Sequence, residues 1–328
     1  MKQIHLISIS GGKDSTATAL KAIEEKACGK IQGEIRGVFA DTGHEHPLTY
    51  EYVDYLEFEL GIKIVKVKPD FSDQIKNKRK LVAKKWVAEG LDPIKANKII
   101  DLLEPTGNPF LDLAIWKGRF PSSQARFCTE ELKKKPLMAY QESLINEFDR
   151  ITIWVGVRRD ESVSRAMITS KWECEFGDRD SSPESAYGIW LYRPILDWTV
   201  EDVFAMHAKH NIKPNPLYKQ GMNRVGCMLC VMCRKNELKE IGRRFPEEIN
   251  RIAAWENNVA KTSKRGNSTF FHVGQIHGIH DNDLISTDKH GIKSAVEWAN
   301  TERGGRQYGL LGDMEPIQEC TSNYGLCE

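Results

Sequence analysis

The sequence predicts an α/β protein built on a doubly wound parallel sheet, followed by a helical and irregular C-terminal extension. Short apolar runs alternate with amphipathic segments across residues 4–67, which is the pattern of consecutive strand–helix–strand units. The first two runs lead directly into polar, glycine-containing motifs, and ligands of such sheets bind at the carboxyl ends of strands. A further apolar run over residues 151–157 predicts that the sheet resumes after an insertion.

The predicted elements follow one another in a regular order. Strands are expected at residues 4–9, 36–40, 62–67 and 151–157, and helices at residues 16–27, 48–60 and 200–210. The strand assignments depend on short apolar runs, and the helix assignments depend on longer amphipathic segments. Thr199 is expected to cap the last of these helices, because its hydroxyl can accept a bond from a free backbone N–H.

Residues 71–120 are predicted to form an insertion in the sheet domain. It holds a basic helical stretch over 74–90 and a second helix over 93–103, which Asp92 is expected to cap. Residues 171–189 are polar and rich in turn formers, so a surface loop is expected there. From residue 236 the pattern is helical to 260. The sequence therefore predicts a sheet domain over residues 1–235 and a helical and tail region over residues 236–328.

The composition narrows the class of protein. The chain has 328 residues, a net charge of +1 and 40% apolar residues, which supports an ordinary buried core. Because the net charge is close to zero, the protein as a whole does not attract nucleic acid electrostatically. Any such contact needs a local basic patch. No apolar run approaches the ~20 residues that span a membrane, and no signal-peptide pattern follows Met1, so a cytoplasmic protein is expected. Eight cysteines in a reducing compartment favour metal or redox chemistry.

The most informative motif is Ser-Ile-Ser-Gly-Gly-Lys-Asp-Ser at residues 8–15. It lies between a predicted strand and a predicted helix, where free N–H groups and the helix dipole attract anions. The glycines let the backbone approach a phosphate, the lysine adds a cation and the serines add hydroxyl donors. The alternative is an ordinary glycine turn. The nucleotide-binding residues predicted in this motif are Ser8, Ser10, Gly11, Gly12, Lys13, Asp14 and Ser15.

A second motif, Asp-Thr-Gly-His-Glu at residues 41–45, directly follows the second predicted strand. A carboxylate and a hydroxyl at a strand end can orient a nucleotide or hold a magnesium ion. The alternative is a helix N-cap cluster, which uses the same residue types. The position of the motif one strand after the glycine loop favours the first interpretation. It assigns Asp41, Thr42 and Gly43 to the nucleotide site.

A third motif begins at Gly156, where another predicted strand ends, and continues through Arg158 to Arg165. Arginine side chains bind phosphate or sulfate oxygens in a bidentate manner. Gly156, Arg158 and Arg165 are therefore predicted to contact the nucleotide or its acceptor. A solvated charged turn is the alternative.

The cysteine pattern indicates a metal centre. Cys227, Cys230 and Cys233 form a CxxCxxC run, a spacing that lets three thiolates surround one centre. Cys128 is the candidate for the fourth ligand. An iron–sulfur cluster and a structural Zn²⁺ both use four cysteines, and unligated thiols are a further alternative. The apolar residues within the run would shield a centre from water, which favours iron–sulfur.

In their order along the chain, these motifs resemble those of the phosphoadenosine phosphosulfate reductase family, within the adenine-nucleotide α-hydrolase-like superfamily. Residues 10–15 are similar to the pyrophosphate loop, SGGxDS, of ATP pyrophosphatases. Further matching segments are residues 132–137, 193–199 and 215–218, with Gly221, Arg224 and Gly226. The resemblance covers residues 8–233. It implies a sheet of five or six strands, with an adenine nucleotide lying across the strand ends of a domain over residues 1–235.

The resemblance implies an enzyme that binds ATP with Mg²⁺, cleaves it between the α and β phosphates, and adenylates an acceptor. Lys13 and Asp14 are the catalytic residues that it implies in the loop. The intact loop, with Cys128 and the CxxCxxC run, is more similar to sulfur-transfer proteins of DNA phosphorothioation and to tRNA thiolation enzymes, which use a [4Fe-4S] cluster. Two alternatives stay open. One is a phosphoadenylyl or adenylyl sulfate reductase that releases sulfite, and the other is a non-catalytic, zinc-stiffened nucleotide-binding accessory of a nucleic-acid or defence complex.

The end of the chain carries two more cysteines, Cys320 and Cys327. Sulfonucleotide reductases keep a nucleophilic cysteine on a C-terminal tail, and Glu319-Cys320 matches the start of that motif. The resemblance therefore implies a catalytic role for one of the pair, as a persulfide carrier or as the thiol that meets a thiol reductant or sulfur donor. A disulfide between them, a metal site that includes His272, and a frayed tail are the alternatives.

Basic residues cluster in the predicted insertion, at Lys76, Lys78, Arg79, Lys80, Lys84 and Lys85. Such a patch can contact a nucleic-acid acceptor, and Trp86, Trp116 and Phe120 could stack on its bases. The alternatives are a solvated helix face for the charges and core packing for the rings. The sequence leaves monomer and homo-oligomer equally open.

Overall fold

The computed structural model describes residues 1–176, 188–271, 276, 278, 281 and 284–301, and its centre is a mixed sheet. Within the described residues the sheet has six strands, in the order β3-β2-β1-β4-β6-β5. The strands are β1 (Gln3–Ile9), β2 (Glu34–Ala40), β3 (Ile64–Val67), β4 (Arg150–Trp154), β5 (Trp172–Phe176) and β6 (Gly188–Tyr192). All neighbours pair in parallel except β5, which is antiparallel to β6. The predicted α/β class and doubly wound parallel sheet are confirmed, with one antiparallel edge strand added.

Some of the α-helices of the described residues cover this sheet, and the others pack beside it. They are α1 (Lys13–Ala27), α2 (Pro47–Leu60), α3 (Ser72–Leu81), α4 (Pro93–Leu102), α5 (Pro109–Lys117), α6 (Lys135–Leu144), α7 (Val163–Ala166), α8 (Val200–Lys209), α9 (Pro216–Lys219), α10 (Lys235–Arg244), α11 (Pro246–Thr262), α12 (Thr287–His290) and α13 (Ile292–Ala299). The side chain of Asp92 accepts from Lys95 N at the start of α4, and that of Thr199 accepts from Asp202 N at the start of α8, as predicted. No helix in this part of the chain is both long and apolar enough to cross a bilayer.

The predicted surface loop over residues 171–189 was wrong at both of its ends. Residues 172–176 form β5 and residues 188–192 form β6, while residues 177–187 lie outside the described part of the chain. β5 is an edge strand, so its two glutamates, Glu173 and Glu175, need no apolar partner. The five residues of β5 alternate between apolar and charged side chains, but the run is short and the polar segment after it led to the loop prediction.

Three apolar clusters hold the layers together. One joins α1 and α8 to one face of the sheet, and a second joins α6 to the other face. The third lies outside the sheet and packs α3, α4 and α5 of the insertion against α10, α11 and α13. We call these six helices the helical layer. Their shared cluster includes residues on both sides of position 235, and the domain boundary there stays a prediction.

The order of the strands places two loops together at one edge of the sheet. The chain moves outward from β1 through β2 to β3, and later continues on the opposite side of β1 through β4. The loops that leave β1 and β4 therefore diverge at a topological switch point, where open α/β sheets bind ligands. Gly156, just after β4, packs against the start of α1, because a Cβ there would lie 2.8 Å from the backbone of Asp14.

Candidate functional site

The loop after β1 is shaped by its own serines. Ser15 Oγ donates to the carbonyl oxygen of Gly12 at 3.0 Å and accepts from Ser10 N at 3.2 Å. Gly11 has a φ of +80°, and a Cβ there would lie 2.6 Å from Thr49 Cγ2. Both the left-handed backbone and the lack of space require glycine at this position. The loop is therefore a tight turn that delivers the N-terminus of α1 to the sheet edge.

A buried ion-pair network lies beneath this loop. The carboxylate of Asp14 is fully buried, and Lys13 Nζ lies 2.7 Å from its Oδ2 atom. Arg158, which leaves β4, donates from Nε to Asp14 Oδ1 at 2.6 Å. Burial disfavours the Arg158 guanidinium, but Asp14 and the acids beside it outweigh burial and raise its pKa. The first and third sequence motifs thus meet through Asp14.

Three side chains from the second half of the chain also hold the loop. Asn215 Nδ2 donates to Gly11 O at 3.1 Å, and Lys13 N donates to the hydroxyl of Tyr218 at 3.0 Å. The His207 ring lies 2.9 Å from Lys13 O, and burial lowers its pKa. Sequence reasoning gave these residues no role. The match over residues 215–218 was the available signal for two of them.

The loop after β2 carries the second motif. Asp41 Oδ1 accepts from Gly43 N at 3.0 Å and from the Tyr50 hydroxyl at 2.7 Å. Burial and the adjacent carboxylate of Glu45 raise the pKa of Tyr50, so its proton stays in these contacts. Thr42 is buried and donates its hydroxyl to Glu45 at 2.6 Å. The motif is thus a fixed turn rather than a solvated one.

This turn is joined directly to the cysteine run. Glu45 and Cys227 form an antiparallel β-bridge, and Met228 N donates to His44 O at 2.7 Å. The Cys227 thiol lies 3.8 Å from Glu45 Oε1. The His44 ring contacts Leu229 O at 2.8 Å, and burial lowers its pKa to about 3, so the ring is neutral. The loop after β2 and the cysteine run, which are far apart in sequence, are therefore packed directly against each other.

One cavity of about 190 Å³ unites the loops and the cysteines. Ser10 of the glycine loop and Thr42 of the loop after β2 both line this cavity. All four cysteines of the predicted metal centre line the same cavity: Cys128, Cys227, Cys230 and Cys233. No set of three or more His, Cys, Asp or Glu side chains in the described residues is arranged to hold a metal ion. The thiols share a cavity without forming a closed metal site.

The cavity has a half-buried lysine among its thiols. Burial raises the pKa of Cys227 to about 12 and raises that of Cys233 well above its ordinary value. Lys133 also lines the cavity. Burial opposes its charge, but neighbouring Cys227 and Glu45 favour it more strongly and leave its pKa raised. Lys133 matched a family segment in sequence, but its place beside the thiols was not predicted.

The remaining predicted site residues lie further out or beyond the described chain. Arg165 is buried in α7 and pairs with Glu161. Ser8 lies within β1 and lines a separate small cavity with Leu137. Cys320 and Cys327 are outside the described residues.

Comparison with known proteins supports the predicted family. A model of the phosphoadenosine phosphosulfate reductase domain matches residues 4–233. An uncharacterized 37.8 kDa protein of Escherichia phage 186 is 45% identical, over 99% of this chain and 97% of that protein. An uncharacterized protein of Methanocaldococcus jannaschii is 25% identical over 81% of this chain, which spans 44% of the archaeal protein.

Two solved structures show a weak similarity to this chain. The phosphoadenylyl-sulfate reductase of Candida auris, in its phosphate complex, is 15% identical over 69% of this chain and 82% of that one, with a TM-score of 0.40. The U34-tRNA thiolase of Methanococcus maripaludis with its [4Fe-4S] cluster is 12% identical over 90% of this chain and 80% of that one, with a TM-score of 0.34. From the match over residues 4–233, the chain belongs to the phosphoadenosine phosphosulfate reductase domain family.

Proposed function

We propose that this protein is an ATP pyrophosphatase of adenylyltransferase type that supports sulfur transfer. ATP binds across the loops after β1, β2 and β4, and an oxygen of the acceptor attacks the α-phosphorus. The bond between the α-phosphorus and the oxygen bridging to the β-phosphate breaks, and pyrophosphate leaves. A hydrosulfide from a sulfur donor then forms a bond to the acceptor atom that carries the adenylated oxygen. The bond between that atom and the oxygen breaks, and the oxygen leaves as part of AMP. The observation that carries this proposal is the single cavity lined by Ser10 of the glycine loop and by four thiols.

The glycine loop is suited to holding the departing pyrophosphate. The N-terminus of α1 supplies backbone N–H groups and a partial positive charge. Lys13 Nζ, now paired with Asp14, adds a cation that can move to the phosphates. Groups of this kind stabilise charge that develops as the bond breaks. In this proposal Asp14 acts through Lys13 and Arg158, since its own carboxylate is fully buried.

The loops after β2 and β4 complete the proposed nucleotide site. Asp41 lies at the end of β2 and is the candidate ligand for Mg²⁺, which prefers carboxylate oxygens. The backbone at Thr42 and Gly43 forms the turn beside it, and Gly156 leaves room for α1. Arg158 and Arg165 are held by carboxylates here, so their proposed role is to position the loops and to meet a phosphate that displaces those acids.

The four cysteines of the cavity have the residue types that a [4Fe-4S] cluster or Zn²⁺ requires. Cys128, Cys227, Cys230 and Cys233 would hold the group, and Met232 N already donates to Cys230 Sγ at 3.4 Å. A bound cluster would supply a site for sulfur or electrons, whereas Zn²⁺ would supply rigidity. We propose the cluster, because apolar side chains such as Met228 and Leu229 are buried beside the thiols.

The products formed from ATP test this function. Protein purified without oxygen is incubated with Mg²⁺ and ATP labelled at the α-phosphate, and the products are separated by anion-exchange chromatography. We expect AMP and pyrophosphate, because water attacks the α-phosphorus when no acceptor is supplied. The rate should fall about 10²–10³-fold in Lys13→Ala because a stabilising cation is lost. Lys21→Ala, on the same helix but paired with Glu24 and Glu25, is the matched control. Release of ADP and phosphate, or an unchanged rate in Lys13→Ala, would contradict the proposal.

The second candidate is a sulfonucleotide reductase, which the family model itself favours. It would use a thiol reductant to release sulfite from an adenylyl sulfate, with Cys320 or Cys327 as the nucleophile. Thiol-dependent sulfite release, with no AMP and pyrophosphate formed from ATP, would select this candidate over the first.

A further inference from the structure

A second and larger cavity, of about 630 Å³, opens between the insertion and the chain that follows α11. Its described lining residues lie within residues 74–122 on one side and are residues 263–265, 267–271 and 285 on the other. The lining combines aromatic rings with basic side chains: Trp86, Trp116, Phe120, Phe270, Phe271, Lys78, Lys117, Arg119, Lys264 and Arg265. No described residue of the lining is an aspartate or glutamate. We call this cavity the cationic cleft.

The cations of the cleft are placed to meet an anion. Arg119 and Arg265 are exposed, one on each wall. Lys117 and Lys264 pair with acids outside the lining, at 3.5 Å and 2.6 Å, and exposed pairs of this kind are weak enough to exchange for a phosphate. Lys78 is buried and donates to Ile115 O, so it fixes the floor of the cleft.

Aromatic rings supply the other half of the surface. Trp86 and Phe271 are half-buried and line the cavity, so part of each ring faces its interior. Lys78 Nζ lies 5.7 Å from the centre of the Trp86 ring, and Lys117 Nζ lies 3.7 Å from that of Trp116. Cations beside aromatic faces are the combination that binds a negatively charged chain carrying planar groups.

We propose that the cationic cleft binds single-stranded nucleic acid, with phosphates at the exposed arginines and lysines and an unstacked base against the rings. A duplex fits this surface poorly, because its bases are already stacked on each other and cannot reach the rings. A polynucleotide is favoured over a mononucleotide because exposed basic side chains lie on both walls of the cleft. This is a binding site distinct from the glycine loop.

We call the cavity lined by Ser10, Thr42 and the four cysteines the strand-end site. The helix α5 connects the cleft with this site. At its start, Asn108 Nδ2 donates to Gly43 O at 2.6 Å, beside the loop after β2. At its end, Lys117 lines the cleft. Nine residues of helix span about 14 Å, so a strand held in the cleft lies one short helix from the proposed ATP. A nucleic acid bound there would be the acceptor class, an assignment that rests on the proposed function, whereas the binding itself does not.

Fluorescence anisotropy with labelled oligonucleotides tests the site. The probes are DNA and RNA of one mixed sequence, about 12 nucleotides long, and the corresponding duplexes. We expect a single-stranded probe to bind, and Arg119→Ala/Arg265→Ala to weaken its affinity at least about tenfold and reduce the salt slope by about 1.4. Both arginines are exposed, so the variant should fold normally. Lys26→Ala/Lys63→Ala, which removes two exposed lysines outside the cleft, should leave the affinity unchanged.

The outcomes separate this inference from the proposed function. Lys13→Ala should lose ATP cleavage and retain oligonucleotide binding, because the two sites share no lining residue. Wild-type affinity in the double arginine variant, or absence of any anisotropy change, would overturn the inference. Tighter binding of duplex than of single strands, or displacement of the probe by AMP at equal concentration, would overturn the assignment to single-stranded polynucleotide.

Discussion

The strand-end site and the cationic cleft are built in opposite ways. The strand-end site is a cavity of about 190 Å³ in which Thr42 donates to Glu45. The loop that supplies Ser10 to this cavity is held by the buried pair of Asp14 with Arg158. The cleft is a cavity of about 630 Å³ that presents exposed basic side chains on a framework of apolar helices. The first has a fixed geometry, and the second has an open charged surface.

The fixed geometry of the first site suits a chemical reaction, and the open charged surface of the second suits the binding of a partner. Bond breaking needs groups that are held in place before the substrate arrives, which buried hydrogen bonds and ion pairs provide. Recognition of a long anion needs accessible charge, which the insertion and the segment after α11 supply. In this account the loops at the sheet edge carry the proposed reaction, and the cleft binds the proposed acceptor.

The largest predicted effect concerns the ion pairs under the glycine loop. Arg158→Ala should lower the free energy of unfolding by about 4 kcal/mol, because it leaves the buried Asp14 carboxylate without one of its two cations. Its neighbour Arg159 pairs with Asp197 at the surface, so Arg159→Ala should cost about 1 kcal/mol or less. Urea unfolding of the two variants gives the comparison. Equal losses would show that the loop is not held by buried charge.

A smaller effect on stability is expected in the helical layer, where one carboxyl group is buried. Glu256 of α11 accepts from Phe270 N at 2.7 Å and from Ile292 N, and burial raises its pKa to about 7 from an ordinary 4.5. Between pH 4.5 and 7 the folded state then retains a proton that the unfolded state releases, so this carboxyl lowers stability as pH rises. The loss should reach about 3 kcal/mol by pH 8. The variant Glu256→Gln cannot titrate and should lack this component of the pH dependence.

Unfolding free energies of wild type and Glu256→Gln, measured from pH 4.5 to pH 8, test this assignment. Their difference should shift in favour of the variant as pH rises through 7. A difference that stays constant with pH would show that the buried carboxyl does not titrate in this range.

Local sequence patterns predict the strands and the loops of the site. They do not predict which side chains from distant parts of the chain contact those loops. The alternation of apolar runs predicts β1, β2, β3 and β4, and the glycine loop at residues 10–15 is found where β1 ends. β5 was missed because it is a short edge strand beside a polar segment, and the two were interpreted together as one loop. The contact of Asn215 with Gly11 and the place of Lys133 among the thiols depend on long-range packing, which no local pattern contains.

The content of iron and acid-labile sulfide, measured on protein purified without oxygen, tests the central claim most directly, because that claim joins the glycine loop and four thiols in one site. We predict about four irons and four sulfides per chain with broad visible absorbance. Both should be lost in Cys230→Ser and retained in Cys28→Ser, whose cysteine is exposed and lies outside the cavity. One Zn²⁺ without iron, or full iron content in Cys230→Ser, would contradict the account.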